Sequence, residues 1–124
     1  MKNKGILNRL IIGNDAPSGT GVIPLGIWRM VNFVSSLCGI PAEIAICCAT
    51  GNTKTVYGLS HGMVKVGDYA DLQIIDAPMG SAGKDAREAI EVGDIPGIGM
   101  VLIDGIVKTQ VSRNTPPPVR KVIA

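Results

Sequence analysis

The sequence predicts an α/β fold, and three features carry that prediction. A short apolar run feeds a carboxylate into a small-residue loop, helical periods follow it, and the second half alternates like β-strand around a tight turn. The 124 residues suffice for one domain with a real core, not for two of ordinary size. Hydrophobic residues make up 46% and aromatics only 3%, while 16 glycines and 8 prolines cut the chain into many short elements, as globular α/β composition does. Against 10 Asp and Glu stand 12 Lys and Arg, a formal charge of only +2, scattered except at the very end. Neither a nucleic-acid footprint nor a polybasic membrane patch is indicated, so the partners expected exclude nucleic acid and membrane.

Leu10-Ile11-Ile12 reads as a short buried strand that delivers Asn14 and Asp15 to its C-terminal end, followed by the loop Ala16-Pro17-Ser18-Gly19-Thr20-Gly21. Ligands of α/β folds gather at that edge, which makes Asp15 the candidate for chemistry. The same Asn-Asp-Ala-Pro run reads equally well as turn punctuation. Ser18 and Thr20 leave the same strand end and are candidate substrate contacts, although small polar residues are also what any tight loop contains.

From Pro24 the period changes: Ile27, Met30, Val31, Val34, Leu37 and Cys38 recur at helical spacing, with Pro24 suited to the first turn and Gly39 and Pro41 supplying a stop. Trp28 lies off the main apolar stripe, where it faces a partner or covers the edge of the core. A second helix starts at Pro41, carries Glu43 where a negative charge suits the helix dipole, and is apolar all round, which predicts burial. Gly51 ends it, Asn52 caps a short third helix, and Gly58 ends that one. Gly51-Asn52-Thr53-Lys54-Thr55 superficially resembles a phosphate loop but lacks the Walker spacing.

Three cysteines, Cys38, Cys47 and Cys48, cannot all pair, and an ordinary disulfide between two adjacent ones is strained. They read as reduced interior residues of a cytoplasmic protein. The N-terminal apolar segment is too short and interrupted for a signal peptide, and no apolar run reaches membrane-spanning length.

After Leu59 the character is β. Met63-Val64-Lys65-Val66 alternates briefly, and Ala70 to Asp76 reads as a strand ended by Pro78. Asp85 caps a short helix ended by Gly93. Asp104-Gly105 between two apolar runs is a two-residue hairpin signal of type I′. The pairing expected is therefore of residues 63–76 with residues 100–110 in one antiparallel sheet. Pro116-Pro117-Pro118 is a stiff spacer, and Val119 to Ile123 adds an edge strand or stays loose.

Two stretches resemble a known family. Ala49-Thr50-Gly51-Asn52-Thr53-Lys54-Thr55-Val56-Tyr57-Gly58-Leu59, then Gly62 to Asp76 with Ala70-Asp71-Leu72, is similar to the C-terminal signature of the amidohydrolase superfamily. There an Ala-Thr-x-Asn-Pro-Ala helix precedes Gly-Leu, Gly-x-Ile-x-x-Gly and Ala-Asp-Leu-Val-x-x-Asp. The late hairpin has its counterpart in residues 100–107. One departure stands out, Thr53-Lys54 in place of Pro-Ala, which puts the subfamily in doubt more than the superfamily. The loop from Gly13 to Gly21 and Pro24-Leu25-Gly26-Ile27-Trp28-Arg29-Met30 resemble cyclic-amide amidohydrolases of bacterial nicotinate fermentation.

The resemblance implies a (β/α)₈ TIM barrel with a binuclear divalent metal site, Zn or Fe, and a small β-sandwich built from both ends of the chain. Residues 1–59 would supply the last barrel strand and closing helices, and residues 60–124 a sandwich segment with a helical insert. Asp15 matches the aspartate that ends the eighth barrel strand, binds one metal and moves a proton. A barrel of this kind takes about 250 residues, so the family's histidine ligands would lie upstream and this chain would be an incomplete C-terminal part, not expected to bind metal tightly or to turn over alone. Its implied partners are a small cyclic-amide substrate, the missing N-terminal barrel portion and further copies in a homo-oligomer. His61, in the turn after Gly58-Leu59-Ser60, reads as a turn histidine and not as a ligand. Two other readings stay open: a free-standing binding or assembly module, and one half of a split amidohydrolase.

Overall fold

A computed structural model describes residues 5–15 and 23–123. A 3-10 turn at Leu7–Arg9 leads into helix α1 (Gly26–Asn32), which runs on as a π-helical turn at Phe33–Leu37. Helices α2 (Ala42–Ala49) and α3 (Gly51–Tyr57) follow, then strand β1 (Leu72–Asp76), helix α4 (Ala86–Val92) and strands β2 (Gly97–Ile103) and β3 (Ile106–Thr109). The result is a small mixed α/β structure, a helical layer beside a three-stranded antiparallel sheet of order β1-β2-β3.

The first helix starts at Gly26, two residues beyond Pro24, because Leu25 at its N-cap takes a left-handed backbone. Its C-terminal stop is as expected, with Gly39 at φ +61. Helix α2 is only half buried, against the expectation drawn from its all-apolar sequence. Ala42, Ala45 and Cys48 face the core, while Ile44 and Cys47 face outward. The layer that would cover that outer side is absent among the described residues. The cysteines divide accordingly: all three are free, but Cys38 and Cys47 are exposed and only Cys48 is interior.

Asn52 is not the cap of α3. The N-cap position is Thr50, which makes no side-chain cap bond, and the Asn52 amide turns instead toward residues 7–10. Gly58 ends the helix at φ +65, as its position predicts.

The hydrophobic cluster is built from Val31, Val34, Ile40, Ala42, Ala45 and Ile90, with Leu7, Ile12, Trp28 and Ile75 packed against it. It therefore joins the helices, the N-terminal segment and β1. Trp28 covers the edge of this core and donates its indole N–H to Gln73 Oε1 at 3.1 Å, tying α1 to the sheet. Helix α4 enters the cluster through the fully buried Ile90 and starts on the Asp85 carboxylate, which accepts the Glu88 N–H at 2.9 Å.

Strands β1 and β2 pair from Leu72↔Leu102 to Asp76↔Gly97, with a bulge at Gly99. Asp104 and Gly105 both have positive φ, +51 and +72, the backbone that a type I′ turn demands. Residues 63–66 are not strand, contrary to expectation. Val64 and Val66 are 88% and 101% exposed, so their alternation has no sheet neighbour among the described residues. Residues 119–123 form no edge strand either, but Val119 N–H reaches Ala77 O at 2.9 Å and an isolated bridge joins Pro78 to Pro118. No helix among the described residues is long and apolar enough to cross a membrane.

Candidate functional site

Residues 10–12, expected to be a short buried strand, form no strand and are only half-buried, because no strand lies beside them among the described residues. They are held from the helix layer instead. Ile12 donates its N–H to Cys48 O at 3.1 Å, and the Asn52 amide nitrogen donates to Leu7 O at 2.9 Å and to Leu10 O at 2.8 Å. A side-chain amide nitrogen has two N–H groups, so Asn52 commits both to this segment.

The next contact is at Asn14. Its side chain lies against Gly26, the first residue of α1, closely enough that a Cβ on Gly26 would come within 3.1 Å of the Asn14 Cγ. Asn14 is thus seated on the helix start, where a Cβ at Gly26 would displace its amide. Asp15 follows with its side chain exposed and its backbone at φ +50, a left-handed conformation that a non-glycine residue seldom adopts and that Asp tolerates better than most. The carboxylate consequently projects from the end of a segment fixed on one side by α1 and on the other by the junction of α2 and α3.

Ser18 and Thr20 lie outside the described residues. His61 is exposed in the turn after α3, where its Nδ1 lies 3.2 Å from the neighbouring Ser60 Oγ. Among the described residues no three His, Cys, Asp or Glu side chains come together in a group that could hold a metal ion. Asp15 is therefore the one carboxylate at the end of residues 10–12, without further ligands drawn from those residues. The clefts along the sheet, one between β1 and Arg120 and one beside Tyr69 and Asp104, do not include it.

Two residues matter more than their sequence suggested. Asn52 resembles a helix cap by type and position, and nothing local reveals its long-range partners. Lys54 was visible only as a departure from the Pro-Ala pattern. Its ammonium meets Asp68 Oδ2 at 3.0 Å and Ser60 O at 2.9 Å, so α3 is clasped to the turn that leads into β1.

No family model matches the chain. Comparison with individual proteins leads to one class, the amidohydrolases. The chain is 56% identical to the enamidase of Eubacterium barkeri over 117 residues, 94% of this chain and 30% of the relative. The crystal structure of enamidase, described as a new member of the amidohydrolase superfamily, superposes with a TM-score of 0.93 at 54% identity, covering 97% of this chain and 31% of that one. The chain thus spans about a third of the length of the relatives it matches. The resemblance read from residues 49–76 and from the loop after Asp15 is to this protein, over nearly the whole chain.

Proposed function

We propose that this chain is the C-terminal part of a metal-dependent amidohydrolase that opens a cyclic amide, as the name enamidase describes for its relative. The observation that carries the reading is 56% identity sustained over 94% of the chain, since such a match extends to the loop around Asp15 as well as to the core. In this reading residues 1–59 are the last strand and closing helices of a TIM barrel, and residues 60–124 are a segment of a β-sandwich. The half-exposed α2 and residues 10–12, which pair with no strand among the described residues, support it, because both lack there the neighbours that a barrel would provide. The free thiols suit a reducing cytoplasm.

Asp15 fits as one oxygen ligand of a divalent metal. Its carboxylate is exposed at the end of residues 10–12 and takes no ion-pair partner among the described residues. The other ligands have to come from outside this chain, and Zn or Fe would suit an oxygen and imidazole set. When bound, such a metal acidifies water and polarises the amide carbonyl. Asp15 then has the proton to manage. Its carboxylate oxygen accepts a proton as water oxygen bonds to the carbonyl carbon, and returns it to the ring nitrogen as the C–N bond breaks, leaving a carboxylic acid and a nitrogen group on one opened molecule. Ser18 and Thr20 are proposed substrate contacts, and further copies of the complete polypeptide are proposed to assemble with it.

The test uses the complete polypeptide, metal-loaded, with 6-oxotetrahydronicotinate as the cyclic amide. Wild type should open the ring, and Asp15→Asn should fold, lose metal and fall by about 10² to 10⁴ in rate, the range for a general acid-base group. Wild-type turnover in Asp15→Asn would overturn the assignment of Asp15. Failure of the wild type to open any lactam would overturn the amidohydrolase reading.

A further inference from the structure

Asn52 lies in α3, outside the segment that carries Asp15, yet its amide is spent on that segment. Both of its N–H groups end on carbonyls of residues 7–10, at 2.9 Å and 2.8 Å. Reversing the amide would set its oxygen against two carbonyl oxygens, so its nitrogen faces them, with Cys48 Sγ farther off at 3.8 Å. Leu7 O already accepts the Leu10 N–H at 3.1 Å, so Asn52 joins a turn that is closed and holds it against α2 and α3. Beyond it, Ile12 N–H bonds to Cys48 O at 3.1 Å, one helical turn before Asn52. Gly13 and Asn14 alone separate Ile12 from Asp15. The segment has no strand neighbour among the described residues, so these bonds, together with the packing of Leu7 and Ile12 on the hydrophobic cluster, set its position relative to the helices.

We infer that Asn52 is a positioning residue for Asp15: by gripping Leu7 O and Leu10 O it fixes how far the Asp15 carboxylate advances from the helix layer. The inference rests on the assignment of Asp15 made above. It gives Asn52 no contact with substrate. A misplacement of about 1 Å at a reacting group costs on the order of 10²-fold in rate, so loss of the grip should appear in turnover and metal retention more than in substrate binding.

The experiment compares four variants of the complete, metal-loaded polypeptide with 6-oxotetrahydronicotinate, measuring kcat, KM, bound metal and melting temperature. Asn52→Asp is nearly isosteric but cannot donate to either carbonyl. Asn52→Gln keeps both donors on a longer arm and protects the test if Asn52→Asp fails to fold. Lys54→Ala breaks the other anchor of the same helix, and Asp15→Asn checks the assignment on which the inference rests. Folded Asn52→Asp should lose about 10- to 100-fold in kcat with KM little changed and bound metal reduced, and Asn52→Gln should lose less. Lys54→Ala should lower the melting temperature and leave kcat at wild type, which separates positioning from stability. Wild-type kcat and metal content in folded Asn52→Asp, or in Asn52→Gln where Asn52→Asp does not fold, with Asp15→Asn inactive, would overturn the positioning role alone. Wild-type turnover in Asp15→Asn would overturn the assignment of Asp15 and the inference with it.

Discussion

Arg120 closes on Asp76 from its backbone and its side chain together: its backbone N–H reaches Oδ2 at 3.0 Å, its Nε reaches the same oxygen at 2.8 Å, and a terminal guanidinium nitrogen reaches Oδ1. Asp76 ends β1 and is buried, while Arg120 follows the three prolines, so this pair seats the C-terminal segment on the sheet. Hydrogen bonds from the Arg120 side chain, outweighing the desolvation that opposes them, hold the Asp76 carboxyl far below the usual carboxylate range.

A folded-state pKa below the unfolded value stabilises at pH above about 3.9, and the contribution fades as the pH falls through that value toward the lower folded one. The complete polypeptide should therefore lose stability in acid more steeply than its Asp76→Asn variant, which starts lower at pH 7 and draws closer to it as the pH falls toward 2 without meeting it there. Melting temperatures of both across this range decide the matter, and parallel curves would show that the pair contributes nothing pH-dependent.

Lys54 gives a second expectation. Its side chain and that of Asp68 are each about four-fifths covered, at 20% exposure, and it also reaches Ser60 O. Lys54→Ala should cost about 1 kcal/mol, a figure typical of one partly screened ion pair with a hydrogen bond. Raising the salt concentration should shrink the difference between variant and wild type. Chemical denaturation at low and high salt measures it, and a salt-independent difference would assign the loss to packing of the Lys54 stem.

Two glycines separate backbone strain from crowding. Gly105 sits at φ +72 with room for a side chain, since a Cβ there would meet only Ala70 Cβ at 3.9 Å. Gly105→Ala should cost about 1 kcal/mol, the left-handed penalty. At Gly83 the backbone is ordinary but a Cβ would stand 2.6 Å from Glu88 C and 2.7 Å from Ala89 Cα, so α4 would have to move. Gly83→Ala should cost about 2 kcal/mol or more. Asp71→Asn should do little by comparison: Asp71 Oδ1 accepts the Asp104 N–H at 2.8 Å, and an amide oxygen can replace it. Denaturation midpoints rank the three, and a Gly105→Ala cost exceeding that of Gly83→Ala would contradict the geometry.

What the sequence disclosed follows the range of the interactions involved. The Asp104-Gly105 turn, the Asp85 cap and the Gly58 and Gly93 stops are encoded within a few residues, and each stands where local chemistry puts it. Asn52 and Lys54 act across 45 and 14 residues, where residue type offers no clue to the partner. The apolar helix α2 and the alternation of residues 63–66 misled for another reason: their patterns describe burial against neighbours that the described residues do not include. For the site, the expected strand ending at Asp15 is not formed, because residues 10–12 have no strand partner among the described residues, and the seat of Asn14 on Gly26 required the fold.

Those uncovered patterns make the last prediction. On the helical side Leu37 is 75% exposed, with Phe33 and Ile44 also open, and before the sheet Val64 and Val66 are almost wholly bare. Strand β1 pairs with β2 on one edge only, leaving a row of backbone donors and acceptors on the other among the described residues. Side chains of this size gain about 1.5–3 kcal/mol each on full burial, so both surfaces drive association when nothing else covers them. The 124-residue chain expressed alone should self-associate, and supplying the remaining length of an enamidase-like polypeptide as a separate chain should convert it to a discrete complex. Leu37→Ser should weaken both self-association and that complex, since one surface serves both. Sedimentation velocity reads each outcome. A stable, cooperatively unfolding monomer of the chain alone would mean that these side chains need no cover, and would favour a free-standing module over a part of a barrel.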